Sequence, residues 1–185
     1  AVSAVVVFAS RHREKHCKSQ QCSENFLHDG ESIVTLSRLF RQYLGGSLSD
    51  ALERLSSDKK RMAYLADATA ELTELREFPQ YLTLLFEIDA LVLNDDRHLN
   101  NIAVLEKNGK FDYCPIFDQG AGFLSNVMYA PMDIVPKSLI AQTRARPFHT
   151  TFNRQIKTMQ AMYGKHLELP RFTRSELSEM LEPFL

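Results

Sequence analysis

The fold of this chain is decided by residues 94–122, which read NDDRHLNNIAVLEKNGKFDYCPIFDQGAG. The Asn108-Gly109 pair in this stretch favours a tight hairpin turn, because both residues accept the positive φ angles that such a turn requires. Apolar residues at 102–105 and 111–117 predict the two strands on either side of the turn. The sequence therefore predicts a small β-hairpin with a polar segment before it and a glycine-rich segment after it.

Three oxygen-bearing side chains flank this hairpin. Asn101 precedes the first strand, Asp118 follows the second, and Asp96 lies in the loop that leads into the hairpin. Because the strands of a hairpin are antiparallel, we expect these residues to meet at its open end. Carboxylate and amide oxygens suit Mg²⁺, which proteins usually hold through one or two carboxylates together with substrate phosphates. The alternative is an ordinary polar turn, since Asp and Asn side chains also hydrogen-bond to nearby backbone.

The spacing of these residues is typical of phosphoryl transfer. Asp96 and Asn101 are separated by four residues, as are the catalytic Asp and the metal-binding Asn of the protein-kinase catalytic loop. Asp118-Gln119-Gly120 supplies a later Asp-x-Gly, whose Asp binds Mg²⁺ in those enzymes. One carboxylate would accept or orient the proton of the acceptor hydroxyl, and two oxygen ligands would fix the metal that neutralises the phosphates.

The order Asp96-Arg97-His98, with Asn101 three positions later, resembles the Asp-Arg-His-x-x-Asn pattern of the HipA-like kinases of bacterial toxin–antitoxin systems. It also resembles, more distantly, the phosphatidylinositol kinases. By this resemblance Asp96 and His98 are catalytic residues, Arg97 and His98 shape the loop, and Asn101 and Asp118 bind Mg²⁺. The resemblance further implies a protein-kinase-like C-lobe, a bacterial kinase that uses ATP and Mg²⁺, a protein substrate phosphorylated on Ser or Thr, and an antitoxin protein as partner.

The segments around the hairpin predict an α+β fold that is mostly helical. Ser47, followed by an acidic residue three positions later, predicts the start of a helix. An apolar stripe at three- and four-residue spacing predicts a second helix over residues 58–75. A third, over residues 79–93, is apolar on nearly all sides and is therefore expected to be buried. Another stripe that begins at Phe152 predicts a further helix.

The N-terminal part of the chain differs from the rest. Val5-Val6-Val7 predicts a buried strand, and we interpret a chain that begins so close to a strand as truncated. A kinase of this type needs a glycine-rich phosphate loop and a strand lysine, and neither pattern precedes Asp96. The missing pattern suggests that the N-lobe is incomplete.

We therefore predict two parts. Residues 1–45 form an N-lobe remnant with hinge strands, and residues 46–185 form a helical kinase-like C-lobe. By the resemblance to kinases, Glu24, Asn25 and Phe26 belong to the hinge and bind the adenine of ATP.

The composition excludes several classes of protein. The 185 residues are 44% hydrophobic and 24% charged, which is typical of a globular domain and excludes general disorder. A formal net charge of -1 argues against a polybasic nucleic-acid binder, so we expect no direct nucleic-acid contact. No apolar run is long enough to span a membrane, and we expect no membrane partner. Three cysteines, an odd number, fit a reducing compartment and predict a cytoplasmic protein.

Three functions remain open at this point. The first is an ATP- and Mg²⁺-dependent protein kinase of the HipA-like type, which transfers the γ-phosphoryl group to a Ser or Thr hydroxyl. The second is a catalytically impaired kinase-like binding module that needs a separate N-lobe protein or another partner, as the missing phosphate loop suggests. The third is a lipid-kinase relative, which would need a basic pocket near Asp118; the near-neutral net charge gives it little support.

Overall fold

The computed structural model of the protein describes residues 26–125, 136–169 and 173–181. The predicted α+β class is confirmed, with one small sheet among several helices. In chain order the elements are β1 (Ser32–Thr35), α1 (Leu36–Leu44), α2 (Leu48–Glu53), α3 (Asp58–Thr73), α4 (Phe78–Val92), β2 (Ala103–Lys107), β3 (Lys110–Tyr113), a 3-10 turn (Gly122–Leu124), α5 (Pro136–Gln142), α6 (Phe152–Tyr163) and α7 (Arg174–Leu181). Within the described ranges, no helix is long and apolar enough to cross a membrane. The strand expected at residues 5–7 lies outside those ranges.

The sheet has three antiparallel strands in the order β1-β2-β3. Strands β2 and β3 form the predicted hairpin, in which Val104 lies opposite Tyr113. Its turn is formed by Asn108 and Gly109, whose φ angles are 52° and 77°, as the Asn-Gly pair predicts. Strand β1 pairs with the other side of β2, so that residues from before and after the long helices share one sheet.

The return strand of the hairpin is shorter than predicted. It was expected over residues 111–117, but β3 ends at Tyr113. The carbonyl of Cys114 accepts a hydrogen bond of 2.8 Å from a tyrosine hydroxyl of α4, and Pro115 has no N–H to donate to a neighbouring strand. The expectation that Asp118 directly follows the strand is therefore wrong, and other contacts must hold it in place.

The helix boundaries follow local signals in the sequence. The Ser47 hydroxyl accepts a hydrogen bond from the backbone N–H of Asp50 and begins α2, as predicted. The helix predicted over residues 58–75 is α3, and it ends two residues early because Glu74 adopts a left-handed φ of 60°. Helix α1 was not predicted; the Thr35 hydroxyl caps it, and Gly45 ends it.

Helix α4 lies at the centre of the core, as its apolar sequence predicts. It packs against α3 and α6, and most of its side chains are buried. Each fully buried Leu or Phe contributes about 1.5–3 kcal/mol relative to an exposed one. Two carboxylates, Glu87 and Asp89, are buried with them. Glu87 accepts backbone hydrogen bonds from His166 (3.1 Å) and Leu167 (2.6 Å), so this carboxylate fastens the segment after α6 to α4. The end of α4 leads directly into the candidate site.

Candidate functional site

The loop that follows α4 is organised by Asn94, a buried residue. Its side-chain nitrogen donates to Asp89 Oδ1 on α4 (2.9 Å) and to the backbone carbonyl of Asp118 (3.2 Å). Its side-chain oxygen accepts a hydrogen bond from the backbone N–H of Asp96 (3.4 Å). One amide therefore connects the central helix, the loop that carries Asp96 and the segment that carries Asp118.

Arg97 makes a second and stronger connection, although its side chain is fully buried. Its Nε and Nη2 atoms donate to the two carboxylate oxygens of Asp89, each at 2.8 Å. Its Nη1 atom donates to the backbone carbonyls of Asn101 (2.8 Å) and Phe117 (2.6 Å). Because these two carbonyls share one nitrogen, the start of the hairpin and the residue before Asp118 are held side by side. This contact, rather than the strand pairing, brings the two ends of the predicted site together.

Burial and neighbouring charges act on the carboxylates of this loop. Burial raises the pKa of Asp89, and the nearby charge of Asp118 acts in the same direction, while the Arg97 guanidinium and the Asn94 amide oppose them. Partial burial also raises the pKa of Asp95, with a further contribution from the adjacent Asp96. Two acidic groups, Asp89 and Asp118, therefore lie close enough for their charges to interact.

Asp96 and Asn101 lie next to each other, as predicted. The side-chain nitrogen of Asn101 donates to the backbone carbonyl of Asp96 (3.2 Å). This hydrogen bond sets the orientation of the amide and places its oxygen on the opposite side. Its side-chain oxygen accepts no hydrogen bond from any residue that the structure describes. The Asp96 carboxylate, about half exposed, contacts Arg146 through an Oδ1–Nη1 distance of 2.6 Å.

Asp118 is exposed at the start of the glycine-rich segment. Its φ of 58° lies in the left-handed region, which a residue with a side chain adopts at an energetic cost and which is frequent at functional sites. Within the described residues, its carboxylate takes part in no hydrogen bond or ion pair. A Cβ placed on Gly122 would lie 3.1 Å from the carbonyl oxygen of Val92, so this glycine allows the segment to pass close to the end of α4.

The structure gives fewer contacts for the remaining predicted site residues, which are His98 and the residues expected to bind adenine. His98 contributes backbone hydrogen bonds to Asp96 (2.7 Å) and Asn101 (2.8 Å) inside the loop, while its buried Nδ1 has no partner among the described residues. Phe26 is partly buried and belongs to no helix or strand. Glu24 and Asn25 lie outside the described residues. The proposed adenine contacts of these three residues stay predictions.

Two residues of the site were not identified as such from the sequence. From the sequence, Asn94 is only part of a polar loop, and Arg146 could contact phosphate or an acidic partner but is more simply a solvated surface residue; in the structure they contact Asp118 and Asp96. The position of Asn94 immediately after a buried helix is a local signal that could have been used. Arg146 is separated from Asp96 by fifty positions, and no sequence pattern links the two.

Oxygen ligands of the kind that Mg²⁺ prefers are present in the site. Asn101 Oδ1 and the Asp118 carboxylate have no hydrogen-bond or ion-pair partner within the described residues. One amide oxygen and one carboxylate fit an ion that also takes substrate phosphates as ligands. No larger cluster is present: in the part of the chain that the structure describes, no group of three or more His, Cys, Asp or Glu could hold a metal ion. No protein-family model, curated protein or solved structure matches this chain.

Proposed function

We propose that this protein is an ATP- and Mg²⁺-dependent kinase of the HipA-like type, which transfers the γ-phosphoryl group of ATP to a Ser or Thr hydroxyl of a protein. One observation carries the proposal. Buried Arg97 holds the Asn101 carbonyl and the Phe117 carbonyl on a single nitrogen, and so keeps Asp96 and Asn101 next to the segment of Asp118. An ordinary polar turn beside a hairpin would form without a buried arginine that joins its two ends.

The residues divide the work of the reaction among them. Asp96, which is half exposed, accepts the proton of the acceptor hydroxyl, as a carboxylate within hydrogen-bond reach can do. Asn101 Oδ1 and the Asp118 carboxylate would hold Mg²⁺. When bound, this ion neutralises charge on the phosphates and holds them in place. Phosphate oxygens of the nucleotide would complete the coordination of such an ion.

The test is calorimetric titration of the full chain with ATP, with and without Mg²⁺, followed by an assay of phosphoryl transfer from labelled ATP. We expect Asp118→Asn to abolish transfer and the Mg²⁺-dependent part of binding while the thermal melting curve stays unchanged. Asp112→Asn is the matched control, since it removes the same charge from an exposed position on β3 and should behave as the wild type. Full transfer activity in Asp118→Asn would refute the proposal.

Asp96→Asn separates chemistry from binding in the same assay. We expect it to bind Mg²⁺ and ATP as the wild type does and to lose transfer, because Asp96 acts on the acceptor hydroxyl and not on the nucleotide. If Asp96→Asn lost nucleotide binding and phosphoryl transfer to the same degree, the role that we assign to Asp96 would be contradicted.

A kinase-like binding module is the second candidate. An open groove of about 600 Å³ beside α4, α5 and α6 is lined mainly by apolar side chains, among which Leu91 and Ile140 are each about half exposed. Apolar surface of this kind is typical of contacts with another protein. The two candidates differ in one result. A binding module, whether or not it binds Mg²⁺ and ATP, would transfer no phosphoryl group when the chain is assayed alone.

A further inference from the structure

Three arginines near the site differ in how many of their donors are already used. The guanidinium of Arg97 is buried and bonded through all three of its nitrogens. Arg144 directs Nη1 to three backbone carbonyls at the end of α5. Arg146 uses only Nη1, on Asp96, and its side chain is 44% exposed. Since a guanidinium carries five N–H donors, most of those of Arg146 have no partner within the described residues.

The backbone of Arg146 is held firmly although its side chain reaches solvent. Its carbonyl accepts a hydrogen bond from Gln155 Nε2 on α6 (3.4 Å). The turn that carries it is closed by a backbone bond from Ala145 to Thr150 (2.8 Å). Phe148 in the same turn packs edge-on against Phe86 of α4, with ring centroids 6.0 Å apart. Arg146 is therefore presented to Asp96 from the same core that positions the Asp96 loop.

We propose that Arg146 binds the phosphoryl group that is transferred, an inference that rests on the proposed function. An acceptor hydroxyl must lie within hydrogen-bond distance of Asp96 to lose its proton, and the phosphorus that it attacks lies next to it. A guanidinium 2.6 Å from the same carboxylate lies at the edge of that space. A planar guanidinium pairs with two phosphate oxygens at once, and the Arg146 donors that have no partner within the described residues suit such a pairing.

In the transfer step the acceptor oxygen forms a bond to the γ-phosphorus while the bond from that phosphorus to the β–γ bridging oxygen breaks. The electron pair of the broken bond leaves with ADP, and the acceptor proton passes to the Asp96 carboxylate. Arg146 gains and loses no proton, because arginine stays charged throughout the working pH range. Its charge stabilises the negative charge that is spread over the phosphoryl oxygens during transfer.

The test compares two nucleotides on the full chain by calorimetry with Mg²⁺: ADP and the β,γ-imido analogue of ATP, which has a γ-phosphoryl group but does not transfer it. We expect Arg146→Ala to weaken binding of the analogue roughly 10- to 100-fold, the range for hydrogen bonds to a charged group, and to leave ADP binding unchanged. The affinity of Arg146→Lys for the analogue should lie between those of the wild type and Arg146→Ala, since an ammonium keeps the charge but not the paired donors. Arg154→Ala is the control, because Arg154 is also an exposed partner of an aspartate, Asp58, and should change neither affinity.

The outcomes separate this inference from the proposed function. If Arg146→Ala leaves the ratio of the two affinities unchanged while Asp118→Asn weakens both, the kinase assignment stands and the role of Arg146 is refuted. If the wild type binds neither nucleotide, both are refuted together. Loss of the fold is not expected in Arg146→Ala, because an exposed ion pair contributes little to stability, and a melting curve checks this.

Discussion

Replacement of Arg97 by Met tests the contact on which the site depends. Arg97 is fully buried, and its Asp89 partner is 1% exposed. The methionine fills a similar volume but donates no hydrogen bond. Among the described residues, it would leave the Asn94 amide as the one hydrogen-bond partner of the Asp89 carboxylate, and it would leave the Asn101 and Phe117 carbonyls without their shared donor.

The expected cost follows from this burial. Removal of one partner from a buried ion pair costs about 3–5 kcal/mol, because the remaining charge is left uncompensated. A domain of this size has a total free energy of unfolding of about 5–15 kcal/mol, so Arg97→Met would lose a large share of it. Combination with Asp89→Leu removes both charges, and the double variant should therefore cost clearly less than the sum of the two single variants.

The assay is urea denaturation followed by far-ultraviolet circular dichroism, for the two single variants and the double variant. Arg154→Met is the control: the side chain of Arg154 is 67% exposed beside Asp58, and a surface ion pair is worth about 0–1 kcal/mol. If Arg97→Met costs no more than this control, or if the effects of Arg97→Met and Asp89→Leu simply add, then the buried pair does not connect the loop to α4 as we argue.

Two further variants test other features of the structure. Gly122→Ala should lower the free energy of unfolding by about 1 kcal/mol or more, because its Cβ would crowd a carbonyl of α4. Gly46→Ala is the control and should not, since the nearest atom there is 4.0 Å away. Equal melting temperatures for the two variants would contradict the close packing at Gly122. Cys114 is buried, and burial raises the pKa of its thiol to about 12. In a variant whose other two cysteines are replaced by serine, iodoacetamide at pH 8 should label Cys114 only after unfolding, and rapid labelling of the folded protein would refute its burial.

The parts of the fold that the sequence predicts are those set by short-range interactions. The Asn108-Gly109 turn needs only its own φ angles, and the Ser47 cap needs only a backbone N–H three residues later. The buried helix at 79–93 could be recognised because no polar face is available to meet solvent. Each of these features is decided within a few residues, so that tertiary packing has little opportunity to override it.

The remaining features depend on contacts that the sequence does not encode locally. The end of β3 at Tyr113 depends on a tyrosine hydroxyl of α4 that takes the next carbonyl. The pairing of Arg146 with Asp96 depends on how α6 and its preceding turn lie against α4. Asp96, Asn101 and Asp118 could be proposed from their spacing, but the buried groups that hold them could not. The kinase function itself stays a prediction until it is assayed.

The site separates residues that hold its shape from residues that would carry out chemistry. Asp89, Asn94 and Arg97 are buried and bonded to one another or to backbone carbonyls, so their replacement must cost stability first. The side chain of Asp96 is about half exposed, and Asp118 is exposed. Replacement of either residue should therefore cost little stability. A buried ion pair is seldom the most stabilising choice, since apolar side chains of similar volume often do as well. Its retention in this loop is explained by position: apolar side chains could not hold two carbonyls side by side next to Asp118, and Arg97 does so with one nitrogen.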